Sequence, residues 1–293
     1  MACARSDPRH PRRAARERGA GRGPPVRNTF IFGILNITED SFSDAGRFLD
    51  PKAAREHAGS LIADGANVLD IGAASSNPRS KAVEPEIEIA RLKPIVAFAK
   101  KKGWPVSVDT FAPETQLWAL KAEADYVNDI QGFPDPELYP KFAPSKCKLI
   151  IMHSVQDRGP AQKIDTDPAA IVGRVADFFE ERTNALMAAG IARDRLILDP
   201  GMGLFVGTRP QVSLTILRRL SVLKSAFGLP ILVSVSRKSF LRTLVGRDLK
   251  TIGPATLAGE LYAALHGADM IRTHEPRPLR DALTIWSHIS GQA

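Results

Sequence analysis

Beyond residue 28 the chain alternates short runs rich in Val, Ile and Leu with longer segments of helical periodicity, and the alternation recurs eight times. The runs fall at residues 30–36, 67–72, 105–109, 125–130, 148–153, 195–199, 230–235 and 269–274. Their hydrophobicity is nearly continuous, which is what a strand buried on both faces requires, so the pattern predicts a parallel sheet. Helix punctuation agrees. Asp50-Pro51, Asp135-Pro136 and Asp167-Pro168 each pair an N-cap with a proline whose missing N–H costs nothing in a first turn. Gly65, Gly103, Gly190, Gly228 and Gly267 each stand two to five residues before a strand, where helices end. Eight strand–helix units with short return turns predict a single (β/α)8 TIM barrel over residues 29–293, in preference to an open doubly wound sheet.

In such barrels the reactive face is built from the C-terminal ends of the strands. Here those ends are polar in every unit: Asn36, Asp70, Asp109, Asn128 with Asp129, His153, Asp199, Lys238 just past the seventh run, then Arg272 and His274. A single Asp after a strand is more often a helix N-cap than a ligand-binding group. Polar ends that converge on one rim from all eight units are hard to explain by capping.

The residue types narrow the chemistry. An ionised Asp only accepts hydrogen bonds while Asn both accepts and donates, so Asp109, Asn128 and Asp199 suit a flat heterocycle with an amidine-like edge, as in a pterin or guanine ring. Lys238 can donate to a ring carbonyl or nitrogen. Its alternative is a solvated lysine in the turn SVSRKSF. Arg272 and His274 are two residues apart, hence on one face of their strand, where they could hold an anion together. Asn36 offers an oxygen to a Mg²⁺ ion that also binds phosphate oxygens. No nucleophile stands beside a base, which favours positioning and stabilisation of a leaving group over covalent catalysis. Residues 38–50 and 73–86, rich in Ser, Asn, Pro and Gly, read either as lids over a substrate or as ordinary surface connections.

Charge changes the picture only at one end. The net charge is +8, yet residues 1–28 hold eight Arg against Asp7 and Glu17, and the remainder is close to neutral. The barrel therefore carries no nucleic-acid signature. The 1–28 segment is rich in Arg, Gly and Pro and is predicted to be a disordered extension; an organelle-targeting leader and an RNA-binding arm are the alternatives. No run approaches the roughly 20 apolar residues of a membrane span, and no secretory signal is evident, so a cytoplasmic location is expected. Cys3 and Cys147 lack partners at metal-ligand spacing, which makes disulfides and structural zinc unexpected.

Seven segments together resemble dihydropteroate synthase: GILNITEDSFSDAG (33–46), LDIGAASSNP (69–78), VSVDT (106–110), VNDIQG (127–132), LILDPGMG (196–203), SRKSF (236–240) and IRTH (271–274). They follow the family order from about residue 30 to the C-terminus. The resemblance implies a transferase of folate biosynthesis that joins 6-hydroxymethyl-7,8-dihydropterin pyrophosphate to para-aminobenzoate, giving 7,8-dihydropteroate and pyrophosphate. It implies that Asp109, Asn128, Met152, Asp199 and Lys238 hold the pterin. Asn36, Arg272 and His274 would bind pyrophosphate, the first through Mg²⁺. Phe42, Ser76, Pro78 and Ser239 would approach para-aminobenzoate, and Asp109, Lys238 and Arg272 would form the catalytic set. A homodimer is also implied, for which the Ala- and Leu-rich segment 254–268 could supply a face.

Two departures fall at the para-aminobenzoate end. Ser75-Ser76-Asn77-Pro78 stands where housekeeping members commonly read Ser-Thr-Arg-Pro, and DPGMGLFVGT (199–208) replaces their Asp-Pro-Gly-Phe-Gly-Phe-Gly-Lys. With HSVQ (153–156), QGFPDPELYP (131–140) and RTHEPRPL (272–279), these resemble the sulfonamide-insensitive synthases of the Sul type. Sulfonamides carry a bulkier substituent than the arylamine they imitate, so a rim side chain such as Phe205, beside Leu204, could exclude them by a clash. The competing readings are a housekeeping, sulfonamide-sensitive synthase, a methyltransferase-type barrel that binds methylated folate, and a pterin-binding module without catalysis. The methyltransferase has no use for Asn36, Arg272 and His274, and the complete rim argues against lost catalysis.

Overall fold

The computed structural model describes residues 29–38, 50–74, 83–156 and 161–291. The expected extension 1–28, most of the two expected lid segments, and Phe42, Ser76 and Pro78 lie outside the described residues.

Each apolar run contains a strand: β1 (Phe30–Asn36), β2 (Val68–Gly72), β3 (Val106–Asp109), β4 (Tyr126–Asp129), β5 (Lys148–Met152), β6 (Leu196–Asp199), β7 (Leu232–Val233) and β8 (Met270–Thr273). They form one parallel sheet in the order β6-β5-β4-β3-β2-β1-β8-β7. The ends of that order meet at a bridge between Leu198 and Ile231, where the Leu198 N–H donates to the Pro230 carbonyl at 2.9 Å, and this closes the TIM barrel. β7 keeps only the middle of its run. Pro230 has no N–H for a ladder, and beyond Val233 the chain leaves the sheet for the turn that carries Lys238.

The covering helices are α1 (Pro51–Ala63), α2 (Pro85–Lys101), α3 (Pro113–Lys121), α4 (Tyr139–Phe142), α5 (Ile171–Ala188), α6 (Pro210–Arg218), α7 (Leu220–Phe227), α8 (Ser239–Val245), α9 (Gly253–Leu265) and α10 (Pro276–Ile289). The Asp50 side chain caps α1 by accepting from the N–H groups of Lys52 and Ala53. Asp135 caps only a short 3₁₀ turn, Pro136–Leu138. Asp167 was expected to cap a helix, but it accepts from the Ala169 N–H in a turn that ends before α5 begins at Ile171. The five glycines expected at helix ends all adopt positive φ, from 60° to 120°.

Strand parity positions the site. Phe32, Val68, Tyr126, Ile150, Ile197, Leu232 and Met270 fill the barrel interior as one cluster. Their chain neighbours, such as Leu69, Val127, Leu149, Leu198 and Ile271, face outward into the shell beneath the helices. Two residues further along the strands the side chains point inward again. That step takes Val68 to Asp70, Tyr126 to Asn128, Ile150 to Met152, Ile197 to Asp199 and Met270 to Arg272. An apolar floor therefore lies under a polar layer at the C-terminal mouth.

The same parity corrects two rim expectations. Asp129 follows inward Asn128 and so faces outward, where its carboxylate accepts from the N–H groups of Gln131 and Phe133 and from Gln116 Nε2 at 2.8–2.9 Å. His153 follows inward Met152 and is buried outside the barrel, with Nδ1 3.3 Å from the Pro200 carbonyl and its ring edge-on to Phe178. Both residues brace the scaffold behind the rim.

Candidate active site

The polar layer is organised around an ion-paired triad. Arg272 Nε lies 2.5 Å from Asp70 Oδ2, and Arg272 Nη2 lies 2.5 Å from Asp109 Oδ2. The triad spans three strands, with Asp70 and Asp109 on the adjacent strands β2 and β3 and Arg272 arriving from β8. Asp70 is fully buried, and its second oxygen has no partner. Its side chain was legible in the sequence as a polar strand end but carried no assigned role. The structure makes it the anchor of Arg272.

Beside the triad stand Asn128 and Asp199. Asn128 is paired in register with Asp109, and its Oδ1 is buried without a hydrogen-bond partner. Asp199 is paired in register with Met152 and uses Oδ1 to accept the Gly201 N–H at 2.8 Å. Lys238 N-caps α8, and Ser239 opens that helix half-buried. Met152 packs with Ile130, Ala161 and Phe205, and Leu204 and Phe111 rest against that group.

Phe205 does not project freely from the rim. It is 5% exposed, and the Lys238 ammonium lies 5.0 Å from its ring centre, a cation–π contact. Leu204, one residue earlier, is the half-buried member of the pair. The loop that carries them is held tightly to the β5 exit, with the Val155 N–H donating to the Phe205 carbonyl at 2.8 Å. Gly201 makes this approach possible. A Cβ there would stand 2.3 Å from the His153 carbonyl oxygen, and its φ of 73° is a left-handed conformation.

Arg272 and His274 do lie on one face of β8, but they contribute differently. The Ser236 hydroxyl accepts the His274 backbone N–H at 3.2 Å and stands 2.9 Å from Nδ1. With that N–H accepted, the hydroxyl keeps one lone pair and its own proton, so it can pair with Nδ1 in either tautomer of the neutral ring. Burial and the cations Arg237, Arg272 and Lys238 hold the His274 imidazole well below its ordinary range. His274 is therefore a neutral ring at neutral pH, and Arg272 carries the positive charge on this face. Asn36 ends β1, half-buried and facing inward at the same mouth.

Titration in the pit is displaced toward neutrality. Burial pushes Asp199 up to about 6, against the Gly201 N–H and Lys238. Burial likewise raises Asp109, to about 7, against the pull of Arg272 and Lys238. Lys238 falls to about 8 through burial and the Arg272 charge. Against burial, the Asp70 and Asp109 carboxylates hold the Arg272 guanidinium above its ordinary range. Carboxylates poised near neutrality beside a cation are what a site uses to bind a heterocycle through a shared proton.

Known proteins match this arrangement. The family described as pterin binding enzyme covers residues 32–274. The chain is 53% identical over 267 residues to the type-2 dihydropteroate synthase of Escherichia coli, covering 91% of this chain and 98% of that one. It is 51% identical over 255 residues to the type-3 enzyme of Escherichia coli, covering 87% and 97%. The Xanthomonas albilineans dihydropteroate synthase solved with 4-aminobenzoic acid superposes with a TM-score of 0.81 at 34% identity, over 90% of this chain and 94% of that one. Similarity across nearly the whole length of such relatives makes the chain a member of the pterin-binding enzymes and, within them, of the dihydropteroate synthase family.

Proposed function

We propose that the chain condenses 6-hydroxymethyl-7,8-dihydropterin pyrophosphate with para-aminobenzoate, giving 7,8-dihydropteroate and pyrophosphate for folate biosynthesis. The observation that carries this reading is the juxtaposition inside one barrel of Asp109, Asn128, Asp199 and Lys238 with Arg272. The first four residues offer acceptors and donors to the pterin edge, with Met152 packed alongside. Asn128 Oδ1, buried and unpartnered, is an acceptor that a ring N–H would satisfy. Arg272 and the neutral His274 hold the diphosphate. As the C–O bond breaks, its electron pair leaves with the pyrophosphate, and the positive charge on the pterin methylene is stabilised by Asp109. The arylamine nitrogen then bonds to that carbon and loses a proton.

Asn36 presents one neutral hard oxygen, and among the described residues no group of three His, Cys, Asp or Glu forms a metal cage. A hard neutral oxygen of this kind suits Mg²⁺, which Asn36 would hold. When bound, the ion would neutralise charge on the leaving diphosphate.

Para-aminobenzoate enters on the side of Ser239, Leu204 and Phe205; the roles of Phe42, Ser76 and Pro78, outside the described residues, rest on the resemblance alone. Sulfonamide insensitivity belongs to this proposal. Phe205, wedged between Met152 and Lys238, supports a loop on which Leu204 meets the arylamine's substituent. A bulkier sulfonyl group clashes there while a carboxylate passes. The protein acts in the cytoplasm as a homodimer, for which α9, with half-buried Leu257, Leu261, Tyr262 and Leu265, supplies an apolar face. Among the described residues no helix is long and apolar enough to cross a membrane.

Growth rescue of a strain lacking its own synthase, with and without sulfonamide, tests the reading. Rescue in both conditions is expected. No rescue would overturn the synthase, and rescue only without drug would overturn the insensitivity. Light scattering of the purified protein tests the dimer.

A further inference from the structure

Helix α9 packs against the outer side of β8 and turns two polar residues toward the sheet, Thr256 and Glu260, each 2% exposed. Much of the rest of the helix is small or apolar (GPATLAGELYAAL), so a carboxyl in this wall is unexpected on packing grounds alone. Glu260 Oε1 is buried without a partner, and Thr273 is the polar side chain that acts on the carboxyl across the contact between α9 and β8. Burial pushes this acid up to about 8 against the influence of Thr273, and the Glu275 charge pushes the same way. At neutral pH it therefore acts as a neutral hydrogen-bonding group.

Its partner occupies a sensitive place. Thr273 stands between Arg272 and His274, faces outward by strand parity and is fully buried. The Thr273 hydroxyl accepts the Glu275 N–H at 3.2 Å, so the side chain beside Glu260 is also the one that holds the turn between β8 and α10. Helix α9 holds the neighbouring turn. Thr256 Oγ1 accepts the Arg237 N–H at 3.5 Å, one residue before Lys238, and the Arg237 guanidinium reaches Glu275 Oε1 at 3.5 Å.

We propose that Glu260 is a positioning residue of the reaction: through Thr273 it fixes the turn after β8 and so sets where Arg272 and His274 meet the diphosphate. This rests on the diphosphate role assigned above. A residue that only filled the wall would be replaceable by a leucine of similar size, whereas a positioning acid is replaceable only by an isosteric hydrogen-bonding group.

The test compares Glu260→Gln and Glu260→Leu in the full-length protein. Calorimetry with inorganic pyrophosphate and Mg²⁺ should show binding about 10-fold weaker for the Leu variant, the loss of one buried hydrogen bond, and within about twofold of the parent for the Gln variant. Binding of 6-hydroxymethylpterin, read in parallel, should be unchanged in both. Unchanged pyrophosphate binding in the Leu variant, or equal weakening of both ligands, would overturn the proposal. Hydrogen exchange of the Glu275 amide supplies a readout independent of ligand and should quicken in the Leu variant. If the parent itself takes up no pyrophosphate, the diphosphate reading falls, and unchanged exchange at Glu275 would separately overturn the role of Glu260. Should the Leu variant not fold, Thr273→Val removes the same hydroxyl and is read in its place.

Discussion

Replacing Asp199 with Asn is expected to stabilise the ligand-free protein at neutral pH while removing pterin binding. Asp199 is 3% exposed, and burial lifts its carboxyl from 3.8 to about 6, against the Gly201 N–H and Lys238. Between those two values the folded protein keeps a proton that the unfolded chain has released. Stability therefore falls as pH rises through that window, and the loss is complete above the folded value. At about 1.4 kcal/mol per unit the penalty is about 3 kcal/mol. Asparagine retains an oxygen for the Gly201 N–H but has no charge to desolvate. The attraction of Lys238 is already contained in the folded value of about 6, so nothing further is subtracted for it. A gain of about 3 kcal/mol corresponds to a rise in Tm of about 6 °C for a chain of this size. Urea melts at about pH 5 and about pH 7.5 should show the gap between variant and parent widening by about 1.4 kcal/mol toward neutrality. Calorimetry with 6-hydroxymethylpterin should show binding at least about 100-fold weaker, since a charge-assisted pairing is lost. A stability gap that stays constant or narrows toward neutral pH would refute the assignment of a burial penalty to Asp199.

Three further outcomes follow from the same geometry. The pH profile of kcat/KM should be bell-shaped: an acid limb near 6 to 7 from Asp199 and Asp109, which act ionised, and an alkaline limb near 8 as Lys238 loses its proton. Lys238→Met should abolish the alkaline limb and lower kcat/KM throughout. Asp129→Ala and Asn128→Ala, neighbours in sequence, should separate cleanly. The first should cost about 3 kcal/mol in chemical denaturation by stranding two backbone N–H groups and Gln116 while leaving pterin affinity intact, and the second should lose pterin affinity with little change in stability. Gly201→Ala should cost about 3 kcal/mol or more, because a methyl group aimed at the His153 carbonyl has only backbone to displace.

The barrel was legible because its signal is local and repeated. Each apolar run had to be covered on both sides, and glycines at helix ends marked the returns, so all eight strands emerged within a residue or two except β7. There the run 230–235 looked uniform, and only the sheet shows that Pro230 and the departure toward Lys238 leave two paired residues. The pit was legible as a set of strand-end residues but not in depth. Strand parity was available in the sequence and would have set Asp129 and His153 aside, since each directly follows an inward residue. The pairing of Arg272 with Asp70 and Asp109 was not available, because it joins residues about 200 and 160 positions apart along the chain. Nor could composition distinguish a projecting Phe205 from one wedged between Met152 and Lys238.

The contact between Phe205 and Lys238 bears on how this enzyme can change. The ring proposed to shape the arylamine end lies against the ammonium proposed to serve the pterin end. A substitution at Phe205 that reshapes one pocket retunes the proton affinity of the lysine in the other. Selection with arylamine mimics alone would thus leave a trace in pterin affinity and in the alkaline limb of the rate profile. Compounds built for the pterin edge would address a surface whose freedom to mutate is already committed elsewhere.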